Sequence, residues 1–313
     1  MREKTGRVIK STGSWMDVLT DSGEIYECKI KGKFRIKGIR STNPVAVGDV
    51  VDFRVDRNHT GLITGIRERR NYIIRKSTKL SKASHMIAAN IDQAFIVATV
   101  NYPATTLNFI DRFLVTAEAY SIPPVLVFNK IDMYDKSEME RVNEWYGTYH
   151  EIGYKCLGTS IKTGQGMDEL KELMQGKTSV FAGHSGVGKS SLINYIDSHL
   201  NLKTDSISSI HKTGKHTTTF SEMFPLEMGG YIVDTPGIRS FGMIDMKNDD
   251  VSHFFPEIFE KSSECRFNNC SHTHEPGCAV INAVEQGNIS LSRYENYISI
   301  LNEDEDEKYR AGY

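Results

Sequence analysis

Residues 178–196, which read TSVFAGHSGVGKSSLINYI, decide the fold. Residues 183–190 within them match G-x-x-x-x-G-K-[ST], the pattern of a phosphate-binding loop. The apolar run TSVFA before the glycines predicts a strand, and SSLINYI after them predicts a helix that starts at Lys189. Strand, glycine loop and helix in this order are typical of an α/β domain that binds a nucleoside triphosphate.

The glycines, the lysine and the serine of this loop each have an expected role in binding phosphate or its metal ion. Glycines let the backbone curl so that successive N–H groups face the β-phosphate at the positive end of the helix. We expect Lys189 to reach the β- and γ-phosphates, where it acts in catalysis, and the Ser190 hydroxyl to bind Mg²⁺. The alternative is a chance glycine-rich turn, which the flanking strand and helix disfavour. The expected nucleotide contacts are Gly183, His184, Ser185, Gly186, Val187, Gly188, Lys189, Ser190 and Ser191.

Two motifs upstream of the loop predict the base. NKID follows the apolar run PPVLVF, and its Asp132 can accept hydrogen bonds from the N1–H and the exocyclic amine of guanine, which adenine does not present together. We expect Asn129 to tie this segment to the phosphate loop and the stem of Lys130 to cover the ring. In TSIKTG, a backbone N–H near Ser160 and Ile161 is expected to meet guanine O6. The sequence therefore favours guanine.

The γ-phosphate sensor is expected in YIVDTPG, a D-x-x-G pattern after a strand. Asp234 would hold Mg²⁺ through water, and the Gly237 N–H would contact the γ-phosphate, so that hydrolysis frees the loop. The upstream run Thr217–Thr219 offers a switch threonine, and we assign Thr218 as the Mg²⁺ ligand. A threonine run before a strand also suits β structure alone.

The residue after the sensor glycine is Ile238, where many GTPases have a glutamine that orients the attacking water. Isoleucine cannot do this, so we expect slow hydrolysis by the isolated protein. His216, beside the threonines, is the candidate for positioning water, and the alternative is a polar loop residue. The motif order places both base motifs before the phosphate loop, which is a circular permutation of the common GTPase order.

A cysteine and histidine cluster near the C-terminus predicts a metal site. Cys265, Cys270, His272 and Cys278 form a C-x₄-C-x-H-x₅-C pattern, a Cys₃His set suited to one tetrahedral structural Zn²⁺. His274 is the alternative fourth ligand. The chain has five cysteines, an odd number, and this favours metal over disulfides in a reducing compartment.

The N-terminal region predicts a small β-barrel of the OB type, because short strands alternate with turn residues. The predicted strands are residues 6–11, 15–20, 25–30, 34–39 and 47–55. Residues 1–80 contain 18 Lys and Arg against 9 Asp and Glu, whereas the rest of the chain contains 20 against 31. This basic segment favours nucleic acid as a partner, and a solvated basic surface is the alternative. The basic residues beside Phe34 are Lys29, Lys31, Lys33, Arg35, Lys37 and Arg40.

These patterns predict a division into a barrel at 1–72, a circularly permuted α/β P-loop GTPase domain at 73–246 and a mostly helical zinc-binding domain at 247–313. The first residues are too polar for a signal peptide, and no apolar run approaches the roughly 20 residues of a membrane span. We therefore expect a cytoplasmic monomer without membrane contact.

The whole set of motifs, in this order, resembles the circularly permuted ribosome small-subunit-dependent GTPases (RsgA, also called YjeQ). The resemblance implies a late assembly factor that binds the 16S rRNA of the small (30S) subunit, uses GTP, GDP and Mg²⁺, and leaves after subunit-stimulated hydrolysis. Lys215 stands where arginine is common in that family. Two other hypotheses are an RNA-binding protein that holds GTP only as a structural ligand, and an ATP-dependent kinase, against which Asp132 already argues.

Overall fold

A computed structural model describes residues 3–30, 44–76, 84–202, 221–234 and 248–303. The chain divides into two compact units, each assembled from separate segments. The first unit consists of Met1–Ala94, Asp168–Phe181 and Lys189–Ile238. The second consists of Phe95–Met167, Ala182–Gly188 and Arg239–Tyr313.

The described strands and helices follow the predicted change from short strands to alternating strands and helices. The strands are β1 (Glu3–Ser11), β2 (Trp15–Leu19), β3 (Ile25–Ile30), β4 (Val50–Val55), β5 (Gly61–Ile66), β6 (Tyr72–Lys76), β7 (Ser84–Ala89), β8 (Gln93–Ala98), β9 (Pro124–Asn129), β10 (Lys155–Thr159), β11 (Thr178–Ala182), β12 (Ser221–Pro225) and β13 (Tyr231–Asp234). The helices are α1 (Leu107–Ala119), α2 (Lys136–Ile152), α3 (Met167–Met174), α4 (Lys189–Ile196), α5 (Pro256–Ser262), α6 (Ala279–Glu285) and α7 (Leu291–Leu301).

In the first unit, β1 to β5 close into a barrel with the order β1-β2-β3-β5-β4, because β4 also pairs with β1. Alternating residues of these strands point inward, as in β2, where Met16 and Val18 are buried. The predicted barrel is therefore present. Its fifth strand is β5, which the sequence analysis missed, while the predicted strand at 34–39 lies outside the described residues.

The barrel continues into a second set of strands of the same unit. The end of β1 pairs antiparallel with β12, β12 pairs antiparallel with β13, and β13 pairs parallel with β11. Lys10 and Glu222 reinforce the first of these joints with an ion pair of 3.1 Å. The strand that leads into the phosphate loop, β11, is buried along its whole length, as its apolar sequence predicts.

In the second unit, β9 pairs parallel with β10 and has β8 as its other neighbour. Helices α1 and α2 follow β8 and β9. Helix α2 begins with a capping box, in which the Asp135 carboxylate accepts the N–H of Glu138 and the Glu138 carboxylate accepts the N–H of Asp135. Because β9 and β10 are parallel, their carboxyl ends lie at the same edge of the sheet, where the NKID and TSIKTG segments follow them.

The C-terminal helices of this unit pack on one another and on α1. Their core contains Phe255, Ile258, Tyr297 and Ile300 together with Val115 of α1. A buried ion network of Asp111, Glu257 and Arg293 crosses the same region and joins α1 to α5 and α7. No helix in the described part of the chain is long and apolar enough to span a membrane.

Candidate guanine-nucleotide site and metal centre

The phosphate loop has the predicted strand, loop and helix around it. Strand β11 ends at Ala182, residues 183–188 form the loop, and α4 begins at Lys189. Gly183, Gly186 and Gly188 have φ values of 135°, 85° and 101°, a region that side-chain-bearing residues rarely adopt. A Cβ on Gly188 would overlap the Asn129 amide nitrogen. These glycines are therefore required for both the path of the loop and its close approach to β9.

The loop side chains are unevenly exposed. Ser190 and Val187 are buried, whereas Ser185 is exposed and Ser191 is partly exposed. The His184 ring packs against the Phe109 ring of α1, with 4.0 Å between centroids. The His184 ring is therefore engaged with α1. The sequence analysis missed Phe109, because nothing in the local pattern of α1 points to this partner.

The base motif and the phosphate loop lie together, although Asn129 and Val187 are 58 positions apart in the sequence. The Asn129 side chain is buried and donates from Nδ2 to the Val187 carbonyl at 2.8 Å, while its Oδ1 accepts from Thr159 Oγ1 at 3.0 Å. Lys130 has a left-handed backbone, and its Nζ donates to the carbonyls of Tyr102 and Gly186, each at 2.7 Å. The side chains of NKID therefore hold the phosphate loop in place.

Asp132 and the second base motif are also adjacent. The exposed Asp132 accepts a hydrogen bond at Oδ1 from Ser160 Oγ at 2.6 Å, which fixes the direction of the carboxylate. The Ser160 N–H donates to the Gln165 carbonyl at 3.0 Å and so is engaged within its own loop. Of the two N–H groups expected near guanine O6, that of Ile161 is the better candidate.

The γ-phosphate side of the site falls largely outside the described residues. Strand β13 ends at Asp234, as the D-x-x-G motif predicts, but the Asp234 side chain, Gly237 and Ile238 are not among the described parts. The same holds for His216 and for Thr217–Thr219, including Thr218. The roles assigned to these residues stay predictions.

Cys265, Cys270, His272 and Cys278 converge, with all four ligand atoms within 4.8 Å of one another. Cys278 Sγ lies 3.9 Å from Cys265 Sγ and 3.5 Å from His272 Nδ1. A tetrahedral Zn²⁺ with Zn–S bonds of about 2.3 Å would place two sulfurs about 3.8 Å apart, so the set fits this ion. Burial raises the pKa of Cys270 to about 12, and a cation would be needed to hold its thiolate.

Helix α7 holds the ligand loop of this cluster. The Tyr294 hydroxyl donates to the His272 carbonyl and the Tyr297 hydroxyl to the Ser271 carbonyl, each at 2.7 Å. His274, the alternative ligand, is exposed, and its Nδ1 contacts Thr273 Oγ1 instead. Cys28 and Cys156 are buried in β3 and β10 and are not part of the cluster.

Comparison with known proteins agrees with this geometry. The family model of the RsgA GTPase matches residues 66–244, and that of the RsgA N-terminal domain matches residues 5–63. A protein of Bacteroides fragilis named "Small ribosomal subunit biogenesis GTPase RsgA" is 54% identical over 308 residues, which cover 98% of this chain and 99% of that protein.

Two solved structures share the fold over nearly the whole chain. The crystal structure of YjeQ from Thermotoga maritima is 36% identical with a TM-score of 0.80, and covers 96% of this chain and 98% of its own. YloQ, described as a circularly permuted GTPase, is 32% identical with a TM-score of 0.75, and covers 98% of this chain and 96% of its own. The predicted permuted P-loop GTPase with an N-terminal barrel is thereby confirmed. The chain belongs to the RsgA GTPase family, whose members hydrolyse GTP.

Proposed function

We propose that this protein is a GTP-driven factor in late maturation of the small ribosomal subunit, bound to its 16S rRNA and released when the subunit stimulates GTP hydrolysis. The observation that carries the nucleotide part is the joining of NKID to the phosphate loop through Asn129 and Lys130. The relatives named for small-subunit biogenesis support the partner.

In this proposal Asp132 reads guanine N1–H and the exocyclic amine, with its carboxylate oriented by Ser160. The Ile161 N–H donates to O6, and the stem of Lys130 covers the base. A base without the paired donors would leave the Asp132 carboxylate unsatisfied, which disfavours adenine. The site therefore selects its nucleotide by hydrogen bonding at one edge of the sheet.

The phosphates lie along the N–H groups of residues 183–190, with Lys189 at the β- and γ-phosphates. Ser190 and Thr218 would hold Mg²⁺, with Asp234 acting through water, and the ion would neutralise charge on the phosphates. We assign the γ-phosphate contact to the Gly237 N–H and the orientation of water to His216. Because Ile238 cannot orient water, turnover by the protein alone is slow.

In this proposal the N-terminal and C-terminal parts of the chain bind the small ribosomal subunit. We propose that the barrel at 1–72 and the Zn²⁺ module at 247–313 grip rRNA, and that the GTPase domain at 73–246 lies between them in sequence. The γ-phosphate motif is followed directly by the metal module, so movement of that motif on hydrolysis pulls on it. We infer a cytoplasmic monomer without membrane contact, since its proposed partner is the assembling small subunit.

Turnover of GTP measured with and without purified small subunits tests this function. We expect slow turnover alone and many cycles per molecule with subunits, which would exclude a purely structural use of GTP. Lys189→Ala should abolish the stimulated reaction, because the lysine contact to the β- and γ-phosphates is lost. A rate with subunits equal to the rate without them would contradict the proposal.

A further inference from the structure

The Tyr134 hydroxyl links two backbone segments next to the base motif. Its hydroxyl donates to the Asn129 carbonyl at 2.7 Å and accepts from the Val100 N–H at 3.0 Å. Asn129 is the last residue of β9, and Val100 follows the end of β8 by two residues. One phenol oxygen thus joins two neighbouring strands beyond their ends, next to the loops that hold the nucleotide.

The carbonyl that Tyr134 holds belongs to the peptide between Asn129 and Lys130. Lys130 has φ 63° and ψ 32°, a left-handed conformation that residues with a side chain seldom adopt. The orientation of the preceding peptide decides whether Lys130 can enter this conformation. In it, the Lys130 ammonium reaches the carbonyls of Tyr102 and Gly186, and the short 3₁₀ turn Ile131–Met133 presents Asp132.

We propose that Tyr134 is a positioning residue for guanine recognition, with its hydroxyl fixing the Asn129–Lys130 peptide and thereby the direction of Asp132. The inference rests on the proposed role of Asp132 as the base reader. In this role Tyr134 acts through the turn, by its bonds to Val100 and Asn129, rather than by its own contact with the nucleotide. Its removal therefore weakens discrimination at the base rather than contact with phosphate.

The contacts that start and anchor α2 do not involve the Tyr134 hydroxyl. The capping box of Asp135 and Glu138 starts α2 independently of Tyr134. Glu138 Oε1 also accepts from Asn101 Nδ2 at 3.0 Å, which ties α2 to the loop after β8. Tyr134→Phe keeps the ring and removes both hydrogen bonds, so it isolates the bridge.

The test is to titrate the full-length protein and Tyr134→Phe with GDP and with IDP. Hypoxanthine lacks the exocyclic amine of guanine, so the ratio of the two affinities reports the Asp132 contact with that amine. We expect the wild type to prefer GDP roughly 10- to 100-fold, the range for a hydrogen bond to a charged group. In Tyr134→Phe, GDP affinity should fall roughly 5- to 10-fold and the GDP preference at least threefold.

The matched control is Tyr146→Phe on α2, whose ring stacks on His150 and whose hydroxyl makes no hydrogen bond among the described residues. It should leave both affinities unchanged. Equal losses for GDP and IDP in Tyr134→Phe, with an unchanged ratio, would overturn the inference and leave the proposed function standing. A wild type without preference for GDP over IDP would overturn the role of Asp132 and this inference together.

Discussion

Replacing Arg293 with methionine should destabilise the second unit strongly, because Arg293 neutralises two carboxylates, those of Asp111 and Glu257, in a buried network. Its guanidinium donates to Asp111 Oδ1 at 2.7 Å and to the two Glu257 oxygens at 2.7 and 3.2 Å. The Arg293 and Asp111 side chains are 1% and 0% exposed. Arg293→Met would leave two carboxylates without the charge that holds them.

The magnitude follows from burial. Removing one partner of a buried ion pair costs about 3 to 5 kcal/mol of unfolding free energy, because the remaining charge is uncompensated. Asp111 keeps hydrogen bonds from Tyr149 Oη and Asn296 Nδ2, and Glu257 is partly exposed, so the loss should not exceed this range. For a unit of this size the midpoint of thermal unfolding should fall by roughly 6 to 20 °C.

The assay is thermal and urea unfolding followed by the fluorescence or circular dichroism of the protein. Lys136→Met, at an exposed lysine of α2, is the control and should change stability by less than about 0.5 kcal/mol. A loss below about 1 kcal/mol in Arg293→Met would refute the reasoning, since it would mean that the buried carboxylates tolerate the loss of their cation.

The remaining predictions concern pH, the metal and the phosphate loop. Burial raises the pKa of Asp111, and the charge of Arg293 opposes that rise, so the pKa of Asp111 in folded Arg293→Met should be higher than in the wild type. Because the folded variant then binds this proton more readily than the unfolded chain does, its loss of unfolding free energy relative to the wild type should shrink as pH falls from 7 to 5. A loss that stays constant over this range would contradict the prediction. Cys278→Ser should reduce bound zinc from one ion per chain to none by metal analysis, because the serine hydroxyl can still cap α6 but cannot replace the thiolate ligand, whereas Cys156→Ser should keep the zinc. Gly188→Ala should lower GDP affinity at least tenfold by calorimetry, because its Cβ would displace the Asn129 amide, whereas Gly147→Ala, where a Cβ meets nothing within 4 Å, should bind normally.

How much of the structure can be predicted from the sequence depends on how far apart in the chain the contacting residues lie. The phosphate loop is local, and its glycines, strand and helix are all visible within residues 178–196. The zinc ligands are likewise close in sequence. The contact of Asn129 with Val187 is distant but was predictable, because both belong to motifs with known partners.

Other contacts cannot be predicted from the local sequence. Asp111 and Arg293 lie 182 residues apart, and a charged residue on a helix is more often solvated than paired in a core. Tyr134 follows the base motif as one more residue of a loop, and only the positions of Val100 and Asn129 show what its hydroxyl does. The sequence pattern did not predict strand β5, because GLITGI is short and is interrupted by a glycine.

The base preference of Asp132→Asn tests the central claim most directly. Xanthine carries a carbonyl in place of the exocyclic amine of guanine, and an asparagine can accept from its N1–H while donating to that carbonyl. Calorimetry on the wild type should show tight GDP and weak XDP binding, and on Asp132→Asn the reverse. Equal affinities for GDP, XDP and ADP in the wild type, or an Asp132→Asn variant that still prefers GDP, would contradict the account.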